Sequence, residues 1–433
     1  MADPIARLVK KDQYNEQFFF EQRDLTSSKL KPSSVRIQAR LLGLSANNLS
    51  YCALGDQLHW YDAFPIPDTL PTPYRNSDEY AVAPGWGYAE ILESTIEELK
   101  PGRRLYGFIP TSNMVTDLKL KPSELGAPGH WTECSEHRAQ VMAIYSRYFE
   151  AEGDFALGSS EYARLWKAAL FPAWKSGYIL NKFVFASYPE DPVVSSMPST
   201  VPWSKADADL TQAVVITLGS RSKTCRSFVH QLATSRAPGT GPIALVEVSS
   251  TREPTVPISK WSFQHRVVTY EDASTKTSLQ EIAELGAKKV VILDFAGRGT
   301  ALEHIHGFFQ KLNPAVQVTL IGIGSGHGKV FSKDDLQARM ERSSKLESLP
   351  MNATDIIDAV IDKIGEEKTY ELIHREWHRV TAEQQKSNDG AANTFLGMDL
   401  DVRGGVREEG LEKVWSQLCE GQATGNTACV VKL

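Results

Sequence analysis

The sequence lacks the features that mark a disulfide-bonded, zinc-stapled or membrane protein. Its five cysteines are scattered and include no C-x-x-C pair, which argues against a disulfide framework and a structural zinc knuckle. No apolar run approaches the ~20 residues that a membrane-spanning helix needs, and the first twenty residues lack the apolar core of a signal peptide. We therefore expect a cytoplasmic protein without a membrane partner.

The sequence also lacks a strong charge of one sign. Its net charge is −6 with both signs mixed along the chain, so a nucleic-acid partner is not expected. It has 433 residues, of which 42% are hydrophobic. This length exceeds the size at which one hydrophobic core keeps growing, and it predicts more than one domain.

The first part of the chain reads as short strands broken by proline and glycine. In "SSVRIQARLLGLS" (residues 33–45) apolar and polar residues alternate, which predicts a strand with one solvated face. "GWGYAEILES" and "GRRLYGFIP" are further strand candidates, and short strands with regular turns favour a barrel or a sandwich. A helical pattern follows over about residues 135–178. We predict a barrel domain with this helical insertion at 1–190, a second domain at 191–330, and C-terminal helices with a tail returning to the catalytic domain at 331–433.

From Ala213 the pattern changes to alternating strand and helix. "AVVITL", "IALVEV", "RVVTY", "KKVVILDF" and "QVTLIGI" are short apolar runs, and the second, third and fourth intervals between them can hold crossover helices. Such runs are typical of a parallel sheet that is buried on both faces. The fold class predicted is therefore α/β, with a doubly wound parallel sheet beside a β-barrel.

The turn after the first of these strands is poor in glycine. A dinucleotide turn normally reads G-x-G-x-x-G, whereas here Gly219 stands alone before the helix. Backbone N–H groups at a helix start attract anions whatever the side chains, and hydroxyls and cations add to this. The candidate phosphate-binding residues are Ser220, Arg221, Ser222, Lys223 and Thr224. The alternative is that Ser222 or Thr224 only caps the helix.

The tip of the second strand carries Ser249, Ser250 and Arg252. An NAD site would place an acid at this tip, whereas hydroxyls and a guanidinium suit the 2′-phosphate of NADPH. Glu247 lies two residues earlier, where strand alternation turns it away from the tip. We therefore favour NADPH, with Glu247 as an NAD selector left as the alternative.

The order of these segments resembles one superfamily. "VRIQARLLGLSANNLSYCALGD", "WGYAEILESTIEELKPGRRLYGF", "SSTRE", "VVTY", "DFAGRG" and "GIGSG" follow one another as in the zinc-independent quinone and enoyl reductases of the medium-chain dehydrogenase/reductase superfamily, within a microbial branch of unknown function. The resemblance implies a GroES-like barrel, a Rossmann-type sheet, NADPH as cofactor and a homodimer. It also implies that Tyr270 joins Ser249 and Arg252 at the 2′-phosphate, and that Gly297 and Gly324 lie beside the nicotinamide.

The zinc members of that superfamily carry G-H-E in the barrel and a four-cysteine lobe. This chain reads "GWGY" at that place and has no such lobe, so no metal is expected. Tyr51 is the candidate proton donor, because a phenol is neutral at pH 7 and can donate to a developing oxyanion. Asn47 and Asn48 are candidate amide donors to the same oxygen. A packed barrel tyrosine and a turn formed by the asparagines are the alternatives.

Three functions are consistent with these features. The leading hypothesis is an NADPH-dependent, zinc-free reductase of a conjugated enone, enoyl or quinone-like small molecule, in secondary metabolism. Aromatic residues after Tyr51, in "HWYDAFP", favour an apolar or aromatic substrate. The first alternative is a non-redox isomerase, lyase or cyclase on a polyketide-like metabolite, and the second is a non-catalytic NADPH-binding protein.

Overall fold

The computed structural model describes residues 3–22, 29–124, 127–155, 160–295, 297–312, 315–323, 330, 333–387, 394–422 and 425–433. Tertiary contacts divide the chain into two units. Unit 1 comprises Met1–Phe171, Gly326–Ser332 and Thr381–Leu433, and unit 2 comprises Pro172–Ser325 and Lys333–Val380. These contact-defined units differ from the boundaries predicted at residues 190 and 330, because residues 172–190 and 333–380 group with unit 2.

The strands are β1 (Ile5–Lys10), β2 (Gln13–Glu21), β3 (Ser34–Leu44), β4 (Tyr80–Ala81), β5 (Pro84–Ser94), β6 (Arg104–Pro110), β7 (Val115–Pro122), β8 (His130–Glu133), β9 (Arg147–Glu150), β10 (Ala213–Leu218), β11 (Ala244–Ser249), β12 (Gln264–Thr269), β13 (Lys289–Asp294), β14 (Gln317–Gly322), β15 (Leu349–Pro350), β16 (Thr394–Phe395), β17 (Met398–Gly404) and β18 (Thr427–Lys432). The α-helices are α1 (Ala46–Ala53), α2 (Glu152–Phe155), α3 (Glu161–Ile179), α4 (Lys205–Ala208), α5 (Lys223–Thr234), α6 (Lys276–Ala283), α7 (Ala301–Leu312), α8 (Lys333–Lys345), α9 (Ala353–Ile364), α10 (Glu366–Ser387) and α11 (Leu411–Cys419). Short 3₁₀ turns lie at Trp60–Ala63, Thr72–Arg75, Glu136–Arg138, Ala143–Ser146 and Asp272–Ser274, and a π-helical turn lies at Leu180–Val184.

Unit 1 contains a closed barrel. Its strands are ordered β3-β5-β6-β9-β8-β7, and β7 pairs back onto β3 to close the ring. Strands β18, β17 and β16 extend the sheet outward from β3, while β1, β2 and β4 form a separate small sheet. Closure leaves the ring without an unpaired edge, which is the usual advantage of a barrel. The predicted barrel is thus confirmed, and its GroES-like character stays a prediction.

Strand β3 lies at the centre of this unit and is buried on both faces, whereas one solvated face was predicted. The alternation itself is present, but its polar side chains are covered. Arg36 is only 4% exposed, and its guanidinium pairs with Asp117 at 2.8 Å and Glu93 at 2.9 Å on the neighbouring strands. At Gly43 a Cβ atom would lie 1.9 Å from the Ala168 carbonyl oxygen, so α3 packs directly on the strand's backbone.

The helical insertion predicted at 135–178 is wrong in its first half. Residues 136–138 and 143–146 form 3₁₀ turns, and Arg147–Glu150 form strand β9. This strand pairs with both β6 and β8 and thereby completes the barrel, so its backbone hydrogen bonds are made in the sheet rather than in a helix. The short helix α2 follows at Glu152–Phe155, and the long helix α3 begins at Glu161.

Unit 2 contains a six-stranded parallel sheet in the order β12-β11-β10-β13-β14-β15. This confirms the predicted Rossmann-like parallel sheet and its five apolar strands. The core on one face consists of Val214, Ile216, Leu218, Val246, Val248, Ile292, Leu302, Ile305 and their neighbours. Helices α5, α6 and α7 follow β10, β12 and β13 along the chain.

The connection between β11 and β12, residues 250–263, holds no helix, although one was expected there. Two prolines, Pro254 and Pro257, interrupt the backbone hydrogen bonding that a helix needs. Thr255 is buried, its hydroxyl donates to Glu247, and its carbonyl oxygen accepts from Arg226. The connection is therefore an anchored loop.

Candidate functional site

Residues 219–222, which we call the β10–α5 turn, join the first strand of the parallel sheet to its helix. Gly219 has φ +74°, a conformation that favours glycine. Its N–H donates to the Tyr270 hydroxyl at 3.0 Å. Burial raises the pKa of this phenol. The structure thus brings two predicted regions together, the turn and the tip of β12, through a bond made within the chain.

The serines of the turn also bond internally. Ser220 is fully buried and its hydroxyl donates to the Val248 carbonyl oxygen at 2.9 Å. The Ser222 hydroxyl caps α5 by accepting from the Cys225 N–H at 3.1 Å, as in the alternative interpretation of this residue. Lys223 and Thr224 are half-buried in the first turn of α5. Ser220 therefore ties the turn to β11 instead of facing outward.

The predicted cations lie around the tip of β11. The Arg221 guanidinium donates to the Thr251 hydroxyl and lies 3.6 Å from Glu253. Arg252 has a side chain that is 74% exposed, and it pairs with Asp272 at 3.0 Å. Exposed ion pairs are weak, so Asp272 holds the Arg252 guanidinium only loosely.

Ser249 differs from the other hydroxyls. The residue is only 1% exposed, and its hydroxyl has no hydrogen-bond partner within the described part of the chain. Buried polar groups normally have a partner, so the Ser249 hydroxyl departs from the usual pattern. Ser250, next along, is exposed.

The remaining predicted positions are Gly297 and Gly324. The Gly297 N–H donates to the Asp294 carboxylate at 2.6 Å, and a Cβ there would lie 2.9 Å from Leu218 Cβ at the end of β10. Gly297 is therefore adjacent to the end of the first strand. Gly324 lies outside the described residues.

Glu247 is fully buried and has partners of its own. Its carboxylate accepts from the Thr255 hydroxyl and lies 2.7 Å from His265 Nε2. The ring of Trp261 stacks on His265 with centroids 3.9 Å apart. The Glu247 carboxylate, which would bind the ribose if Glu247 selected NAD, thus anchors the β11–β12 loop instead.

In unit 1 the two candidate asparagines lie on α1. Asn48 is buried, its side-chain oxygen accepts from the Ser45 N–H at 2.8 Å, and its amide donates to the Pro84 carbonyl oxygen at 3.3 Å. With Ser45 it forms a capping box at the start of the helix. Asn47 is exposed on the same helix. These residues lie in a helix and not in the turn that was the alternative.

Tyr51 lies in the second turn of α1 and belongs to an aromatic cluster. The Tyr51 cluster comprises Tyr51, Trp60, Trp86, Phe108 and Tyr145. The Tyr51 ring centroid lies 4.9 Å from that of Trp60 and 5.8 Å from that of Tyr145. The Trp86 indole N–H donates to the Tyr51 hydroxyl at 3.0 Å. The cluster therefore combines apolar walls with phenol and indole groups that can hydrogen-bond.

Burial raises the pKa of Tyr51 to about 12, although hydrogen bonds with Trp86 and Tyr145 act in the opposite direction. Burial likewise raises the pKa of Tyr145 well above its usual value. Both phenols therefore stay protonated across the physiological range and can act as hydrogen-bond donors.

Arg138 and Tyr145 are the residues that sequence reasoning missed. Arg138 is 3% exposed and lies 3.3 Å from the buried carboxylate of Glu133. Its guanidinium donates to the carbonyl oxygens of Ala63 at 3.0 Å and Tyr145 at 3.2 Å. Arg138 thereby holds together two segments that supply rings to the Tyr51 cluster. No motif marks these residues, because barrel closure brings them there.

Within the described ranges, no three histidine, cysteine or acidic side chains gather into a group that could hold a metal ion. Nor does any described helix combine the length and apolar character needed to cross a bilayer.

Solved structures with a similar fold were found. A mutant of Etr1p in complex with NADP and crotonyl-CoA is 11% identical, has a TM-score of 0.51, and matches over 100% of both chains. A mutant form of enoyl thioester reductase from Candida tropicalis is 10% identical over 100% of both chains, with a TM-score of 0.49. CurA from Vibrio vulnificus in complex with NADPH is 10% identical over 100% of this chain and 99% of that one, with a TM-score of 0.48.

The similarity to the Etr1p complex shows a shared fold. The family model described as "Protein of unknown function (DUF2855)" matches residues 42–424, and the chain belongs to this family. No curated protein matches the sequence.

Proposed function

We propose that this chain is an NADPH-dependent, zinc-free reductase of a conjugated enone, enoyl or quinone-like small molecule in secondary metabolism. In this proposal the barrel is GroES-like and the chain is a zinc-independent relative of the medium-chain dehydrogenases and reductases. The observation that carries it is Tyr51, a buried phenol that stays protonated and lies in an aromatic cluster. The Etr1p structure that shares the fold holds NADP and crotonyl-CoA, which supports both the cofactor and the substrate class.

The residues at the end of the parallel sheet fit a phosphate-bearing cofactor. The buried hydroxyl of Ser249 is without a partner among the described residues, and the start of α5 lies beside the tip of the same strand. Arg252 and Arg221 supply positive charge, which suits the extra phosphate of NADPH. Glu247 is held inside by His265, so no carboxylate at this position repels that phosphate.

When bound, NADPH supplies a hydride to the electrophilic carbon of the substrate. The chain's own contribution is to the oxygen of the conjugated carbonyl, which gains negative charge as that carbon is reduced. Tyr51 donates a hydrogen bond to this oxygen and afterwards its proton to the oxygen or the α-carbon. Trp86 holds the phenol in place through its indole N–H. The aromatic walls exclude water and pack against an apolar substrate.

Binding of NADPH and NADH, followed by fluorescence, tests the cofactor. We expect micromolar binding of NADPH, and a Lys223→Ala, Arg252→Ala double variant should bind it about tenfold or more weakly while its affinity for NADH changes little. Arg266→Ala is the matched control, because Arg266 forms an exposed ion pair with Glu281 in the same unit. Lack of binding of both nucleotides below millimolar concentration would overturn the proposal.

Tyr51→Phe tests the chemistry. We expect loss of about 10²–10⁴-fold in the rate of NADPH oxidation with an enone substrate, because the proton donor is removed. NADPH affinity should be unchanged. Tight NADPH binding with no turnover of any conjugated carbonyl by the wild type would instead indicate the non-catalytic alternative.

The internal bonding of the β10–α5 turn favours one second candidate, a non-redox isomerase, lyase or cyclase that uses the same phenol. The Gly219 N–H and the Ser220 and Ser222 hydroxyls have partners within the chain. A turn completed in this way needs no phosphate to satisfy these groups. Substrate conversion by Tyr51 without NADPH consumption would support this candidate.

A further inference from the structure

Trp60 carries a buried indole N–H that no described residue accepts in normal hydrogen-bond geometry, although the Tyr145 phenol lies beside it. The residue is 6% exposed, and its indole nitrogen is inaccessible and has no hydrogen-bond partner of normal geometry in the described ranges. The neighbouring indole of Trp86, by contrast, donates to Tyr51. An unpaired buried N–H costs free energy, so it is expected where a ligand atom completes it.

The short turn that carries Trp60 is held in an unusual conformation. His59, which precedes it, has φ +57°, a region that residues other than glycine rarely adopt. His59 Nδ1 lies 2.9 Å from the Asp62 carboxylate, and the Tyr61 hydroxyl donates to the Cys52 carbonyl oxygen at 2.8 Å. Strained backbone of this kind persists only where its surroundings fix it, and it is concentrated at functional sites.

The same turn is tied to the segment that carries Tyr145. Arg138 donates to the carbonyl oxygens of Ala63 and Tyr145, and Glu133 neutralises its charge in the interior. The Trp60 and Tyr145 rings lie with centroids 5.4 Å apart, and the phenol of Tyr145 adjoins the Trp60 indole N–H. Tyr145 is half-buried, so it is the member of the Tyr51 cluster that reaches solvent.

We propose that Trp60 is a catalytic hydrogen-bond donor, whose indole N–H binds the carbonyl oxygen of the substrate together with the hydroxyl of Tyr51. Tyr145 covers this position, and rotation of its side chain admits the oxygen. Two donors stabilise the oxygen more strongly in the transition state, where it carries negative charge, than in the bound substrate. This difference lowers the barrier and accelerates the reaction. The inference rests on the proposed function, because it assigns a second donor to the same substrate oxygen.

Indole NMR tests the inference independently of turnover. The protein is labelled with ¹⁵N at its tryptophan indoles, and Trp60→Phe assigns the Trp60 signal. We titrate with 4-phenyl-3-buten-2-one and, as matched ligand without oxygen, 1-phenylpropene. The ketone should move the Trp60 indole proton downfield, as hydrogen bonding does, and the hydrocarbon should not. Equal shifts with both ligands, or no response of Trp60 up to the solubility limit of the ketone, would overturn the inference.

Kinetics provide the second test. Trp60→Phe should lower kcat/KM for NADPH-dependent enone reduction by about 100-fold, mostly in kcat. Trp131→Phe is the matched control and should leave both constants unchanged, because the buried Trp131 indole already donates to Glu150 at 3.0 Å. A Trp60→Phe enzyme with wild-type kcat would contradict the inference even if the reductase activity is real. If NADPH is never oxidised but the ketone shifts the Trp60 signal, the redox proposal fails and the donor assignment stands.

Discussion

The β10–α5 turn and the Tyr51 cluster differ in whether their polar groups have hydrogen-bond partners within the chain. In the turn, the Gly219 N–H and the hydroxyls of Ser220 and Ser222 all bond within the chain. In the cluster, the buried indole N–H of Trp60 has only the Tyr145 phenol beside it and no acceptor of normal geometry among the described residues. These three groups of the turn are satisfied within the chain, whereas the proposal above assigns the Trp60 donor of the cluster to a ligand. Saturated polar groups favour stability and unsaturated ones favour binding, so variants in the two regions should affect different measurements.

The largest effect on stability is expected at Arg138, which supports the cluster. Arg138→Met leaves the carboxylate of Glu133 buried without its cation and frees the segments that hold Trp60 and Tyr145. We expect a loss of about 3–5 kcal/mol in the free energy of unfolding, measured by urea denaturation. Adding Glu133→Gln should restore part of this loss. A single variant as stable as the wild type would show that the cluster does not depend on this ion pair.

The next effect concerns His230, on the helix that follows the turn. Burial, with the nearby Arg379, lowers its pKa from 6.5 to about 4. Because the unfolded chain binds this proton more readily, stability due to His230 is present above about pH 6.5 and is lost as the pH falls toward 4. Urea denaturation should show that the His230 contribution makes the free energy of unfolding about 3 kcal/mol lower at pH 4 than at pH 7. His230→Gln should flatten this part of the pH profile, and an unchanged slope would refute the assignment.

Sequence reasoning predicted the strands of the parallel sheet well, but in unit 1 it predicted only β3, β5 and β6. Period-two alternation marks β3, although it did not reveal that both faces of this strand are buried, and apolar β-branched runs mark the strands of the parallel sheet. The place of Asn48 at the start of α1 could also be predicted, since Ser45 precedes it by three residues as in a capping box, and its catalytic role stays a prediction. The positions of Tyr145 and Arg138 beside the Tyr51 cluster could not be predicted from the sequence. Their positions follow from the pairing of β9 with β6 and β8, which no local pattern encodes.

A smaller effect is expected within the turn. Ser220→Ala removes the donor to the Val248 carbonyl oxygen and leaves that oxygen without this partner in the interior. The free energy of unfolding should fall by about 1–2 kcal/mol, while NADPH affinity should be unchanged. Ser250→Ala, at an exposed hydroxyl on the same strand end, is the control for stability. A large loss of NADPH affinity in Ser220→Ala would break the contrast between the two regions.

The smallest effect on stability is expected at Arg252. Its side chain is 74% exposed, so its pair with Asp272 contributes little. Arg252→Ala should change the free energy of unfolding by less than about 0.5 kcal/mol. Any change should instead appear in the discrimination between NADPH and NADH. A marked drop in the thermal midpoint would indicate that Arg252 is structural.

The position of β3 has a consequence for how the protein is made. Residues 34–38 pair with 115–119 to close the barrel, and Leu41–Leu44 pair with residues 429–432 of β18. The backbone hydrogen bonds of β3 therefore cannot all form until β7 and then β18 have been synthesised. Pairings between such distant segments fold slowly and leave apolar strands exposed for longer. We expect nascent chains shortened before β18 to engage chaperones, whereas the parallel sheet of unit 2, built from successive segments, forms earlier.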